Sequence, residues 1–280
     1  EEIREEYTKI IPDEIKCIDP CSGSGHILVY MFDLLMEIYQ TQGYNTRSAV
    51  KSIVENNIYG LDIDDRAAQL TYFSLMMKAR QYDRGFLSRG IQPHAFAIVE
   101  SNHVDRHALE YFCNGDAKLK EAMDTIIAEL HDAKEYGSII TVSDQDWDAL
   151  YARFEEIENE RVMSIYSESA LSLKILVSVA VTLARKYHCV VTNPPYMGAA
   201  NMSTKLSVFI KEKYEDCKEI LVIPGFFGFN EDGYRLTFSR GGSDITGSMV
   251  ARGLSCDIYE NYTDMTYIYS ANPNVFYNPA

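Results

Sequence analysis

Ile15-Lys16-Cys17-Ile18-Asp19-Pro20-Cys21-Ser22-Gly23-Ser24-Gly25-His26 is the stretch that decides the fold. Ile15 to Asp19 reads as a short buried strand, and Pro20 to Gly25 as a turn. His26 to Gln40 follows as a helix with apolar Ile27, Tyr30, Met31, Leu34, Leu35 and Ile38 at helical spacing. Two glycines where a strand becomes a helix let the backbone approach a ligand closely. The helix N-terminus behind them offers free N–H groups, a polarity suited to a carboxylate or phosphate. A lone Gly-x-Gly would be read as a structural turn; the strand before it and the helix after it favour a ligand loop.

Outward from this loop the same alternation continues. Arg47 to Glu55 is expected to be a second helix and Asn57 to Ile63 a second strand. Asp64 to Arg80 is expected to be a long helix with an apolar face that includes Ala67, Leu70, Phe73 and Met77. Strand and helix in turn imply a parallel sheet with crossover helices. Ala95 to Val99 is a third strand. His107 to Tyr187 reads as mainly helical, broken near Gly137 to Val142, and carries no legible chemistry. Cys189 to Thr192 is another short strand and runs into Asn193-Pro194-Pro195-Tyr196, with an amphipathic helix from Ser203 to Tyr214. The polar residues thus gather at the carboxyl ends of strands, where open α/β sheets bind ligands.

Composition narrows the classes. With 280 residues and 46% hydrophobic content the chain can bury a sizeable core. No stretch reads as the roughly eighteen or more apolar residues of a membrane span, and Glu1, Glu2, Arg4, Glu5 and Glu6 are unlike a signal peptide, so a cytoplasmic protein without membrane contact is expected. The six cysteines lack CxxC pairing and suit reduced thiols in a core, with neither disulfides nor a metal site expected. A formal net charge of −15 argues against a broad phosphate-binding face.

Two further features carry chemistry. Asp62 ends the second strand, where a carboxylate can accept both hydroxyls of a ribose; the competing reading is a helix N-cap, open to Asp62 or Asp64. In Asn193-Pro194-Pro195-Tyr196 the two prolines make a rigid non-helical turn. That turn can present an amide oxygen, a free backbone carbonyl and an aromatic ring to one flat ligand. Asn193 Oδ1 and the Pro194 carbonyl could accept both hydrogens of an exocyclic amine, and Tyr196 could stack on its ring. A plain Pro-Pro strand end is the weaker alternative in this order of motifs.

Together the segments Asp19 to Tyr30, Asn56 to Met76 and Cys189 to Lys205 resemble the adenine-N6 DNA methyltransferases, most closely the PglX type of BREX phage-defence systems, with type IIG restriction-modification enzymes near by. The resemblance covers about Ile15 to Asp216. It implies an α/β, Rossmann-like S-adenosylmethionine-dependent core, here with a long helical insert. The cofactor would be held by Asp19, Pro20, Ser22, Gly23, Gly25, Asp62 and Ile63, and catalysis would rest on Asn193, Pro194, Pro195 and Tyr196. Its implied partners are double-stranded DNA with a flipped adenine, and other defence-system proteins. Glu100, Ser101 and Asn102 are candidates for the cofactor's adenine.

From about Glu219 the character changes: Ile220 to Pro224 reads as a strand, and the remainder is rich in Gly, Ser, Thr, Asn and Tyr. Val222 to Phe226, Thr237 to Gly247, Asp257 to Asp264 and Tyr269 to Pro273 resemble aspartate kinase, so the chain reads as domains 1–218 and 219–280, both incomplete. That resemblance implies a partial amino-acid-kinase-like α/β segment. In it Arg240 would meet a substrate carboxylate, Gly241 and Gly242 would let the backbone approach a phosphate, with Ser243 beside them, and Asp244 would face the substrate amine or the reacting centre. Thr263 and Asp264 would meet the nucleotide, ATP with Mg by the same resemblance. Without the family's Lys-Phe-Gly-Gly segment, kinase activity is expected to be absent, and a chimeric junction is expected near Cys217 to Ile220.

Overall fold

The computed structural model describes residues 10–160, 164–193, 202–214, 227–229 and 235–237. The chain divides into two units, 1–213 and 214–280. In the first, four parallel strands lie in the order β3-β2-β1-β4: β1 (Cys17–Asp19), β2 (Ile58–Asp62), β3 (His94–Ala97) and β4 (Cys189–Val190). The sheet grows in one direction from β1 to β3, and the chain then returns to the other side of β1. The topological switch point therefore falls between β1 and β4. Within the second unit, Phe227–Phe229 and Arg235–Thr237 form an antiparallel pair.

Helix α1 (His26–Thr41) follows the glycine loop, α2 (Thr46–Ser52) leads into a π-helical turn at Ile53–Asn57, and α3 (Asp65–Tyr82) follows β2. The buried face of α1 is Leu28, Met31, Phe32, Leu35, Met36 and Tyr39, while Tyr30, Leu34 and Ile38 are exposed. On α3 the buried residues are Ala68, Thr71, Leu75 and Ala79, with Leu70 and Phe73 exposed. Both helices are thus rotated by about one position from the faces expected from their sequences. The physical reason is close approach: α3 lies near enough to the loop that small side chains and a hydroxyl fit there, whereas Leu70 and Phe73 would not. Asp33 ties the two helices together, at 2.6 Å from both Lys78 Nζ and the Tyr82 hydroxyl.

The π-helical turn has a structural purpose. It delivers Asn57, fully buried, so that its amide donates to the carbonyls of Pro12 and Ile15 while its oxygen accepts from the Tyr39 hydroxyl. Tyr39 also meets Ser52 and Asp13, and hydroxyls donating to Asp13, that of Ser52 the largest cause and that of Tyr39 a smaller one, hold its carboxyl below the ordinary range. Tyr39→Phe leaves Asn57 and Ser52 short of a buried partner and is expected to lower stability by about 1–3 kcal/mol. The urea midpoint measures it, and an unchanged midpoint would show that this network is not a fold determinant.

Between β3 and β4 lie α4 (Arg106–Cys113), α5 (Ala117–Glu129), α6 (Ala133–Tyr136), a 3₁₀ turn at Gly137–Ile139, α7 (Trp147–Glu158) and α8 (Ile165–Ala184). Their core includes Phe112, Met123, Ile126, Leu150, Phe154 and Val177 and joins Tyr59 and Leu61 of β2. By length and composition α8, with a mean hydropathy of 1.5, could cross a membrane, a feature the sequence reading passed over. Here it buries Ala170, Leu173, Leu176, Val177 and Ala180 in that core. After β4 comes α9 (Thr204–Tyr214). Of the cysteines described, Cys17 and Cys113 are buried and Cys21 is half-buried. Cys189 is exposed, so the expectation of core thiols does not hold at that position. Burial, with Cys189 beside it, pushes the Cys17 thiol up to about 12.

Candidate functional site

The glycine loop runs from the end of β1 to the start of α1. Ser22 N–H donates to the Leu61 carbonyl at 2.9 Å, and Gly25 N–H to the Ser22 carbonyl at 2.8 Å, so the loop is stitched to β2 and to itself. Gly23 (φ 54°) and Gly25 (φ 78°) both occupy the left-handed region. A Cβ at Gly25 would lie 2.9 Å from Thr71 Cα, whereas one at Gly23 would meet none of the described residues within 4 Å. Helix α3 braces the loop through hydroxyls: Thr71 donates towards the Ser22 hydroxyl (3.2 Å) and the Gly23 carbonyl (3.1 Å), and Ser74 donates to the Ser24 carbonyl (3.1 Å). Sequence reading assigned Thr71 and Ser74 no role, because a hydroxyl within a helical run carries no signal of what it faces. Among the described residues, no side chain caps the first turn of α1 behind Gly25.

Asp62 stands beside this loop. Its Oδ2 accepts from Gly23 N–H at 2.8 Å and its Oδ1 from Asp64 N–H at 2.9 Å. The N-cap of α3 is Asp64, which accepts from Arg66 N–H (2.7 Å) and Ala67 N–H. The helix-cap alternative raised for Asp62 is therefore met by its neighbour. Pro20 follows Asp19 directly, and Ile63, exposed, is the first residue past the end of β2.

Asp19 is fully buried at the end of β1. One carboxylate oxygen accepts from Cys21 N–H at 3.1 Å; the other, Oδ2, has no well-aligned hydrogen-bond partner among the described residues. Burial raises its carboxyl above the ordinary value of 3.8, opposed by the nearby Thr192 hydroxyl and the Cys21 N–H. Thr192 Oγ1 is likewise buried and lacks a well-aligned partner. Asp19 at the end of β1 and Thr192 in the segment leaving β4 are thus close enough at the switch point for the hydroxyl to act on the carboxyl, without a well-aligned hydrogen bond. Asn193, the next residue, is exposed. Backbone pairing runs to within two residues of it, since Val191 N–H donates to the Ile18 carbonyl at 3.0 Å.

The structure brings Asp19, Ser22, Gly23, Gly25 and Asp62 together and places Asn193 just beyond the end of β4, the strand adjacent to β1. Pro194, Pro195 and Tyr196 lie outside the described residues, as do Ile220 to Pro224, Arg240, Gly241, Gly242, Ser243, Asp244, Thr263 and Asp264. Two of the three adenine-contact candidates are engaged elsewhere. The Ser101 hydroxyl donates to the Ile127 carbonyl, and Asn102 exchanges hydrogen bonds with Asp132, which leaves Glu100.

A parallel sheet with a glycine loop after β1 and an acidic residue at the end of the neighbouring β2 is an α/β arrangement compatible with a methyltransferase fold. The chain matches the family Eco57I restriction-modification methylase over residues 56–245, and it belongs to that family. It is 38% identical over 236 residues to adenine-specific methyltransferase BrxX of Escherichia coli O9:H4 (strain HS), covering 76% of this chain and 20% of that protein. It is 35% identical over 225 residues to adenine-specific methyltransferase PglX of Lacticaseibacillus casei (strain Zhang), covering 78% of this chain and 18% of that protein. A separate segment of 60 residues, 21% of this chain, is 57% identical to aspartokinase 3 of Bacillus subtilis (strain 168), covering 13% of that protein. The chain therefore spans about a fifth of the methyltransferases it resembles and joins two unrelated likenesses.

Proposed function

We propose that residues 1–218 carry the S-adenosylmethionine site and the methyl-transfer residues of a DNA adenine-N6 methyltransferase acting in phage defence or restriction-modification, in the cytoplasm. The observation that carries this reading is the hydrogen bond from Gly23 N–H to Asp62, which joins glycine loop and acidic strand end one strand away from Asn193. The donor set fits the cofactor: the uncapped N-terminus of α1 suits its carboxylate, Asp19 Oδ2 its ammonium, and Asp62 with Ile63 its ribose and adenine.

When bound, the cofactor supplies a sulfonium methyl, a donor strong enough that the protein's task is orientation and exclusion of water. In this reading Asn193 and the Pro194 carbonyl accept the two amine hydrogens of a flipped adenine. Pro195 stiffens the turn and Tyr196 stacks on the base. Binding of S-adenosylmethionine by calorimetry, with methyl transfer to mixed-sequence DNA, tests this directly; absence of binding would refute it.

A second reading is favoured by the 60-residue aspartokinase likeness: a chimeric fragment that at most binds cofactor, with residues 219–280 an inactive aspartate kinase remnant. Nucleotide binding lost on Arg240→Ala or Asp244→Ala would restore a role to that tail.

Asp19 yields a prediction of two opposite signs. A carboxyl whose folded pKa is raised gives full stability below its unfolded value of 3.8 and loses it as pH rises through the folded value. Asp19→Asn removes the buried charge and is expected to raise the melting temperature at pH 7, with the gain vanishing at acid pH, while weakening cofactor binding. A lower melting temperature at pH 7 would show that the Asp19 charge has a partner in the free protein.

Asp62→Ala is expected to weaken cofactor binding by about 1.5–3 kcal/mol through loss of charge-assisted hydrogen bonds. Because Asp62 also holds Gly23 and Asp64 N–H groups, stability should fall by about 1 kcal/mol as well. An unchanged dissociation constant would confine Asp62 to bracing the loop.

A further inference from the structure

The segment Asp132 to Ile139, assigned no chemistry from sequence, touches both halves of the site. At one end the 3₁₀ turn lies against the cofactor strands: Ser138 Oγ is 3.9 Å from Cys21 Sγ, and a Cβ on Gly137 would sit 3.4 Å from Ile63 Cγ2. At the other end α6 is fastened to α9, the helix that follows the Asn193 tetrapeptide. Lys205 Nζ is 2.8 Å from Asp132 Oδ2, the Ser203 hydroxyl donates to Glu135, and the Tyr136 ring stacks on Phe209 with centroids 4.4 Å apart.

The four residues of α6 are too few to hold a helix unaided, so these contacts set its position. Left-handed backbone brackets it, at Asp132 (φ 55°) and Gly137 (φ 65°). A non-glycine residue keeps such a conformation only where its surroundings over-determine it. Asn102 does so here, exchanging two 2.8 Å hydrogen bonds with Asp132.

We propose that Asp132 to Ser138 is a positioning element for methyl transfer, a brace that fixes the wall beside Cys21 and Ile63 to α9, the helix that follows the Asn193 tetrapeptide in sequence. Tyr136 is its main contact. The inference rests on the cofactor reading for its role in the reaction, while the brace itself is a property of the free protein. Motion at α9 is thereby transmitted to the cofactor loop, and occupancy of the loop restrains α9.

Alkylation of Cys21 by iodoacetamide in the 280-residue chain, followed by peptide mass spectrometry, reads the brace without cofactor. Tyr136→Ala should speed Cys21 alkylation by roughly two- to tenfold, the range set by loss of an aromatic pair. Lys205→Met, at the surface of α9, should act in the same direction. Tyr136→Phe should stay at the wild-type rate because the stacked ring remains, and Lys211→Met, an exposed change on the same helix, should have no effect.

With S-adenosylhomocysteine added, the α9 amides should exchange more slowly in the wild type and not in Tyr136→Ala. If Tyr136→Ala fails to fold, Lys205→Met still decides the matter. An unchanged Cys21 rate in the folded variants overturns the brace. Failure of the wild type to bind S-adenosylhomocysteine, with the Cys21 response intact, overturns the cofactor reading and with it the role in methyl transfer.

Discussion

Replacing Gly25 by alanine is expected to destabilise the protein by roughly 2–5 kcal/mol and to remove measurable cofactor binding. Two costs add. The residue sits at φ 78°, a conformation that costs an L side chain about 1–2 kcal/mol. The new methyl would also lie 2.9 Å from the Cα of Thr71, a backbone atom that cannot swing aside, and overpacking of this kind costs about 1–3 kcal/mol. Gly23→Ala is the control. It bears the conformational cost alone, since none of the described residues lies within 4 Å of its Cβ, and should lose no more than about 2 kcal/mol. Chemical denaturation of both variants measures the difference, and equal losses would show that contact with α3 does not set the loop's position.

Asn193→Ala, in a full-length methyltransferase carrying this segment, is expected to reduce the rate of adenine methylation on the order of 10²–10³-fold, as losing one preorganised polar contact to the reacting group does. Cofactor binding should be nearly intact, because Asn193 reaches from β4 whereas the loop and Asp62 belong to β1 and β2. Tyr196→Ala should instead weaken capture of the flipped base by about 1–3 kcal/mol of stacking, and Tyr196→Phe should be mild because the ring stays. Steady-state rates with separate cofactor titrations check all three. If Tyr196→Phe proves as damaging as Tyr196→Ala, the hydroxyl and not the ring is what matters, and the stacking role falls.

Much of the site's frame was legible because it depends on local chain chemistry. Glycines at Gly23 and Gly25 after a short apolar strand mark a turn that few other residues can make, and Asp62 follows one strand-helix unit later. Strand and helix order predicts a parallel sheet, and the four observed strands are parallel.

The tertiary structure decided what depends on neighbours distant in sequence. Helices α1 and α3 are apolar on more than one side, so periodicity could not say which stripe faces inward. Close packing against the loop chose Thr71 over Leu70 and Phe73. Asp62 and Asp64 are interchangeable caps on paper, and only the fold gives the cap to Asp64 and the Gly23 N–H to Asp62. Cys21 meets Ser138 across 117 residues, and Tyr136 meets Phe209 across a shorter but still long stretch of chain, contacts to which no local pattern points. Sequence by itself determined the turn, the order of elements and the types of polar group available. Which of those groups meet was settled by packing, because a hydrogen bond or a ring contact depends on distances that only the folded chain fixes.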